Sequence, residues 1–212
     1  MQLDLQQLII PAGQHVLLNN IDWASFEAIL QELGEHRASR LTYHQGVLEI
    51  MTPLLQHESA KELIGDFVKI LLEEQNYDFN SVGSTTFKSV TMKYGIEPDQ
   101  CFYIEHEPQI RGKDRLDLKI DPPPDLAIEI DITSETWIST YEALAVPELW
   151  RYDGHELHIY VLQEGHYVQT EQSLHFPQFP VVQAIPDYLQ QTKVAGRNKV
   201  MRAFRAWVRG FL

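Results

Sequence analysis

Three consecutive prolines, Pro122 to Pro124, lead into Asp125-Leu126-Ala127-Ile128-Glu129-Ile130-Asp131-Ile132, and this stretch constrains the fold more than any other. Its period is two. It therefore reads as a β-strand with Leu126, Ile128, Ile130 and Ile132 on one face and Asp125, Ala127, Glu129 and Asp131 on the other. Three carboxylates on a short strand repel, and two held close at low dielectric drive one pKa upward unless a cation is present. A hard divalent cation removes that conflict. The alternative is an edge strand whose acidic face is solvated.

Upstream, Glu97-Pro98-Asp99 opens a second strand that runs to Ile104. Laid side by side, the two strands bring Asp99 and Glu129 to neighbouring positions, with Asp131 one pleat repeat, about 6 to 7 Å, farther along. The expected ion is Mg²⁺ or Mn²⁺ on Asp99, Glu129 and Asp131, because such ions prefer oxygen ligands, keep several waters and take few protein carboxylates. An ion of this kind activates water and offsets charge developing on a phosphodiester.

The remaining pattern mixes helices and strands around one core, an α/β (α+β, mixed-sheet) class. Asn20 or Asp22 caps a helix with apolar residues at Trp23, Phe26, Ile29, Leu30 and Leu33, ending at Gly34. Arg40 to Met51 forms a hairpin around Gln45-Gly46, and a second helix over about 56–75 carries His57, Glu58 and Lys61 in its first turns. Strands follow at 82–90, 98–104, 125–132, 148–152, 156–162 and 166–171, with a helix near 134–145. With 212 residues, 44% of them hydrophobic, the chain is expected to fold as one domain over 1–212. Within it, 1–20 is an arm, 21–192 the core and 193–212 a basic C-terminal helix.

Several chemistries are poorly supported. Cys101 is the sole cysteine, which rules out an intrachain disulfide or a thiolate cluster and fits a packing role in its strand. No His pair has the spacing of a helical zinc motif, and no Gly-rich loop suits a nucleotide cofactor. Ser84, Ser134 and Ser139 lack a nucleophile-elbow context. Trp150, Tyr152, Tyr160 and Tyr167 fit sheet packing better than base stacking. The N-terminus lacks the basic region of a secretory signal, and no apolar run is long enough to span a bilayer, so a soluble cytoplasmic protein without membrane contact is expected.

The formal charge is −13, which excludes a wholly basic nucleic-acid coat. Six of the seventeen Lys and Arg residues nevertheless lie in the last twenty positions, where no acid occurs. Arg202, Arg205 and Arg209 share one helical face opposite Val200, Phe204, Trp207 and Val208. They are candidate DNA phosphate contacts; the competing reading is a docked helix that balances the acidic body.

With these residues in view, the chain resembles the Uma-type family of putative restriction endonucleases, placed in the PD-(D/E)XK nuclease superfamily. The resemblance is carried by Gly34-Glu35-His36-Arg37, Leu48-Glu49-Ile50-Met51, His57-Glu58, Gly83-Ser84-Thr85-Thr86, Glu97 to Ile104, Asp121 to Thr133 and Val146 to Tyr152. It implies a restriction-endonuclease-like fold, a central mixed β-sheet flanked by helices, and metal-dependent phosphodiester hydrolysis in DNA. It also implies catalytic roles for Asp99 as the motif Asp, Glu129 as its acidic partner and Glu58 as the helix-borne acid. The chain departs from the superfamily in having Asp131 where a lysine follows two residues after the acidic partner. Many relatives carry the lysine on the next helix instead, and Trp137 stands there. Lys88 is the local substitute. A DNA endonuclease, homodimeric because two related sites cut both strands most simply, is thus expected. The alternative is a catalytically inactive nuclease-fold module that binds DNA or protein, for which loss of lysine at both positions argues.

Overall fold

The computed structural model describes residues 8–34, 39–83, 85–89, 93–132 and 135–212. Ser84, Ser134 and the motif residues Glu35, His36 and Arg37 lie outside them. Gln14–Leu18, within the segment read as an arm, form β1. Helix α1 (Trp23–Leu33) starts where the Asp22 carboxylate accepts the Ser25 N–H at 2.8 Å, and it ends at Gly34. Strands β2 (Arg40–His44) and β3 (Val47–Thr52) form the expected hairpin. Its turn uses positive φ at both Gln45 and Gly46, the geometry that suits tight hairpins. Helix α2 (Leu55–Glu74) follows, then β4 (Asn80–Ser81), β5 (Phe87–Ser89), β6 (Tyr94–Ile96), β7 (Gln100–Tyr103) and the short helix α3 (Glu107–Ile110). The chain continues through β8 (Leu126–Ile130), α4 (Ile138–Leu144), β9 (Glu148–Tyr152), β10 (Leu157–Gln163), β11 (His166–Thr170), α5 (Val181–Thr192) and α6 (Arg197–Arg209).

These strands build two sheets, one ordered β1-β3-β2-β6-β5 and the other β11-β10-β9-β8-β7-β4. In the six-stranded sheet β8 and β9 are parallel and the other pairs antiparallel, so a mixed sheet flanked by helices is what forms. Of the span 82–90, expected as one strand, only β5 is strand among the described residues, and it belongs to the smaller sheet, whereas β4 just before the span belongs to the larger. The chain crosses back at Glu97-Pro98-Asp99, between β6 and β7. Strand β6 is too short to show a period, and Pro180 and Pro186 obscure the pattern of α5.

Strand β8 is central, which corrects the solvated-edge alternative. Leu126, Ile128 and Ile130 face a core built with Ile64, Phe67 and Leu71 of α2 and Phe204 of α6. Across the sheet Ala127, Cys101 and Tyr103 pack with Tyr141 and Leu144 of α4. Alternation in the smaller sheet buries Leu41, Tyr43, Leu48 and Ile50 against Phe26 of α1, with the Phe26 and Tyr43 rings stacked at 4.7 Å. Its other face carries Arg40, Thr42, Glu49 and Met51 toward the larger sheet. Gly95 is required in β6 because a Cβ there would lie 2.7 Å from the Phe26 ring.

The basic helix docks. Arg205 donates to Glu74 at 2.6 Å and Glu73 at 2.9 Å, Arg209 donates to Glu74 at 2.6 Å, and Arg197 pairs with Asp66. Among the described residues no helix is long and apolar enough to cross a membrane. Two outcomes are expected from denaturant titrations. Gly95→Ala should cost about 1 to 3 kcal/mol, because the new methyl forces the Phe26 ring aside. Arg209 and Arg205 lower the Glu74 carboxyl to about 2 against partial burial, so its contribution is present above about pH 4.5 and fades as pH falls toward 2. Glu74→Gln should therefore destabilise the fold at pH 7 and flatten the acid limb of its stability profile.

Candidate active site

The register Gln100↔Ile128, Cys101↔Ala127 and Phe102↔Leu126 continues to Asp99 opposite Glu129. Both carboxylates are buried, at 3% and 9% exposure. Asp99 Oδ2 accepts the Ile130 N–H at 2.9 Å, and the Tyr141 hydroxyl donates to Glu129 Oε1. They lie in a cleft between the sheets, bordered by Arg40 and Glu49 of the smaller sheet, His57 of α2, and Trp137. The cleft opens to solvent, and its innermost space of about 40 Å³ has room for an ion with water. Burial, the nearby Asp99 charge and Asp131 push the Glu129 carboxyl well above the usual range, although the Tyr141 hydrogen bond opposes this. The same burial, with Glu129 alongside, raises the Tyr141 hydroxyl.

On α2, His57 is wholly buried. Its Nε2 lies 3.0 Å from Asp99 and its Nδ1 3.5 Å from Glu58, yet neither nitrogen is aligned for a hydrogen bond. Burial alone would lower the imidazole pKa, but Asp99 and Glu58 together outweigh it and hold the ring up at about 9. Glu58 is held down at about 2, first by His57, then by Lys61 at 3.0 Å and Arg40 at 3.5 Å, against partial burial. Glu58 thus reaches the cleft through His57 and Arg40.

The other expected site residues have different occupations. Asp131 is clamped by Arg151, whose Nε donates to Oδ2 at 2.6 Å, and its Oδ1 accepts the Thr136 N–H at 3.1 Å and the Thr136 hydroxyl. Burial still keeps that carboxyl above its ordinary value. Lys88 lies on β5 and pairs with Glu27 at 3.0 Å, away from the residues that border the cleft. Arg205 and Arg209 are committed to the C-terminal end of α2, whereas Glu58 sits at its start, fifteen residues or roughly 22 Å away. Arg202 is exposed on the same helix. Asp125 is buried before β8 and accepts the N–H groups of Ile104 and His106 at 2.6 and 3.0 Å, a turn-holding role. Cys101 is wholly buried and its thiol is pushed up by burial, so packing is its role.

Sequence reasoning missed Arg40, which enters the cleft from the other sheet, and Glu97, which accepts the Leu41 N–H at 3.3 Å and the Thr86 hydroxyl at 2.6 Å. Glu97 was visible as the residue two before Asp99, but a strand period carries no information about a partner in another sheet.

A sequence model of the Uma2 family, described as a putative restriction endonuclease, matches residues 23–194. The chain is also similar to the crystal structure of a putative nuclease of the DUF820 family from Anabaena variabilis, with 12% identity, 78% of this chain and 90% of that chain covered, and a TM-score of 0.46. No curated protein matches.

The Arg151 clamp makes a distinction between structure and metal ligation measurable. Asp131→Ala should cost about 3 kcal/mol in urea denaturation, the low end for one member of a buried pair, because Glu135 still reaches Arg151 at 3.4 Å. Unchanged stability would make Asp131 available as a metal ligand again.

Proposed function

The chain belongs to the Uma2 family of putative restriction endonucleases, and from that premise we propose that it is a Mg²⁺- or Mn²⁺-dependent endonuclease that hydrolyses phosphodiester bonds in DNA. One observation carries this reading: the β7·β8 register sets Asp99 against Glu129 at the floor of a cleft with ion-sized space. The donor set fits the ion. Two hard carboxylates with water completing the shell is the usual protein contribution to magnesium, and a cation there would relieve the conflict that raises the Glu129 carboxyl. Bound at this pair, the cation supplies Lewis-acid charge and an activated water.

The chain's own residues prepare that chemistry. The Ile130 N–H fixes Asp99 and the Tyr141 hydroxyl fixes Glu129, so neither carboxylate has to find its orientation on binding. His57 braces Asp99 from α2, and Glu58 braces His57 in turn. The fold is acidic overall, so its affinity for DNA should depend on the few basic groups that face the phosphate path. Cleavage of both strands is simplest in a homodimer with two such sites, the assembly proposed here.

The non-catalytic module is kept as a second reading by one observation: Trp137, an aromatic, forms the cleft wall where relatives carry lysine. Incubation with supercoiled plasmid and Mg²⁺, Mn²⁺ or EDTA, alongside calorimetric titration with Mn²⁺, separates the two. Cation-dependent nicking is expected, with loss of at least about a hundredfold in the double variant Asp99→Asn, Glu129→Gln. Nicking that survives the double change would overturn the endonuclease assignment. A folded wild type without Mn²⁺ binding supports the module.

A further inference from the structure

The missing lysine leaves a chemical requirement that the superfamily pattern does not meet here: a positive group beside the acid pair, at the place where a phosphate must sit. Lys88 does not reach it. Arg151 is locked on Asp131 and Glu135, and Lys61 on Glu58 and Glu62. His57 borders the cleft but is enclosed between Asp99 and Glu58.

Arg40 differs from all of these. It is the first residue of β2, on the sheet face that looks across the cleft, and its side chain is 14% exposed. Its Nη2 lies 3.6 Å from Asp99 Oδ1 and 3.5 Å from Glu58 Oε1, and its Nη1 donates to the Pro98 carbonyl at 3.5 Å. A guanidinium carries five N–H donors, and these contacts are long for hydrogen bonds. The group is thus held near the acid pair with most of its donor capacity uncommitted. Its planar fork matches two oxygens of a phosphate, a geometry that an ammonium does not provide.

Resting on the endonuclease reading, we infer that Arg40 is the catalytic cation of this chain: it binds the non-bridging oxygens of the scissile phosphate from the opposite sheet, in place of the absent lysine. The reaction class is unchanged: water adds to phosphorus and the P–O bond to the leaving oxygen breaks. The Arg40 guanidinium offsets the charge that accumulates on the phosphoryl oxygens. This role also explains why a cation from the smaller sheet stands beside an acid pair built by the larger one.

The test uses the full chain, with Arg40→Gln, Arg40→Lys and the control Lys69→Gln, a half-buried lysine of α2 that pairs with Asp66 and does not border the cleft. Single-turnover cleavage of an end-labelled duplex in Mg²⁺ should fall about a hundredfold in Arg40→Gln, with Arg40→Lys recovering part of the loss and the control unchanged. Binding of the same duplex with Ca²⁺ in place of Mg²⁺ should weaken in Arg40→Gln, and the slope of log affinity against log salt should shrink by about 1. Mn²⁺ affinity of Arg40→Gln should equal or exceed that of the wild type, because a positive neighbour of Asp99 is gone. Weaker Mn²⁺ binding would make Arg40 a positioning residue for Asp99 and overturn the inference, as would wild-type cleavage by Arg40→Gln. A wild type that neither cleaves nor binds the duplex overturns the endonuclease reading and the Arg40 assignment together; a cleaving wild type with an equally active Arg40→Gln overturns the second alone.

Discussion

The hydrogen bond from the Ile130 N–H to the Asp99 carboxylate ties the two halves of the cleft floor together. It lies just past the last backbone pair of β7 and β8, where the chain has turned in from the smaller sheet through Glu97 and Pro98. A side chain here extends a backbone ladder, so the placement of Asp99 and the end of the sheet are one event. Glu129 then faces Asp99 by register alone, and its carboxyl is held by Tyr141 from α4. Helix, sheet and crossover all converge on two buried acids.

Such a pair is electrostatically expensive, and the surroundings show how the cost is offset. His57 and Arg40 stand beside Asp99, Tyr141 donates to Glu129, and burial with the Asp99 charge raises the Glu129 carboxyl well above its ordinary range. Asp131, two residues on, is satisfied separately by Arg151 and Thr136. Glu129 and Asp131 therefore differ: Asp131 is clamped by Arg151 and Thr136, whereas Glu129 has the Tyr141 hydroxyl and faces Asp99. Structural carboxylates of this chain, such as Asp125 and Glu74, are matched by donors in number and direction, whereas the cleft pair is not. That difference is the feature on which the proposed cation site rests.

Much of this is legible in the order of residues along the chain. Alternation in Asp125 to Ile132 separates the packed face from the acidic one, and once β7 and β8 pair, their register brings Asp99 to Glu129. Asp22 and Gly34 bound α1, and Gln45-Gly46 marks the hairpin, because caps and turns depend on neighbours in sequence. Lys88 is the natural substitute for the lost lysine on the same reasoning of proximity along the chain, and it lies on the wrong sheet. Arg205 and Arg209 share a helical face as the sequence implies, but a helix pattern does not say which surface that face meets, and Glu73 and Glu74 take it.

By itself the sequence determined the strand that carries Glu129 and the mixed α/β class, since these follow from period, capping and turn chemistry, all local properties. Only the tertiary structure decided that β8 is central rather than an edge, that Asp131 is clamped, and that Arg40 completes the cleft from a second sheet. The physical reason is common to all three: each depends on a partner distant in sequence, and the charge or hydrogen-bonding demand of a side chain does not reveal which distant partner the packed chain will bring to it.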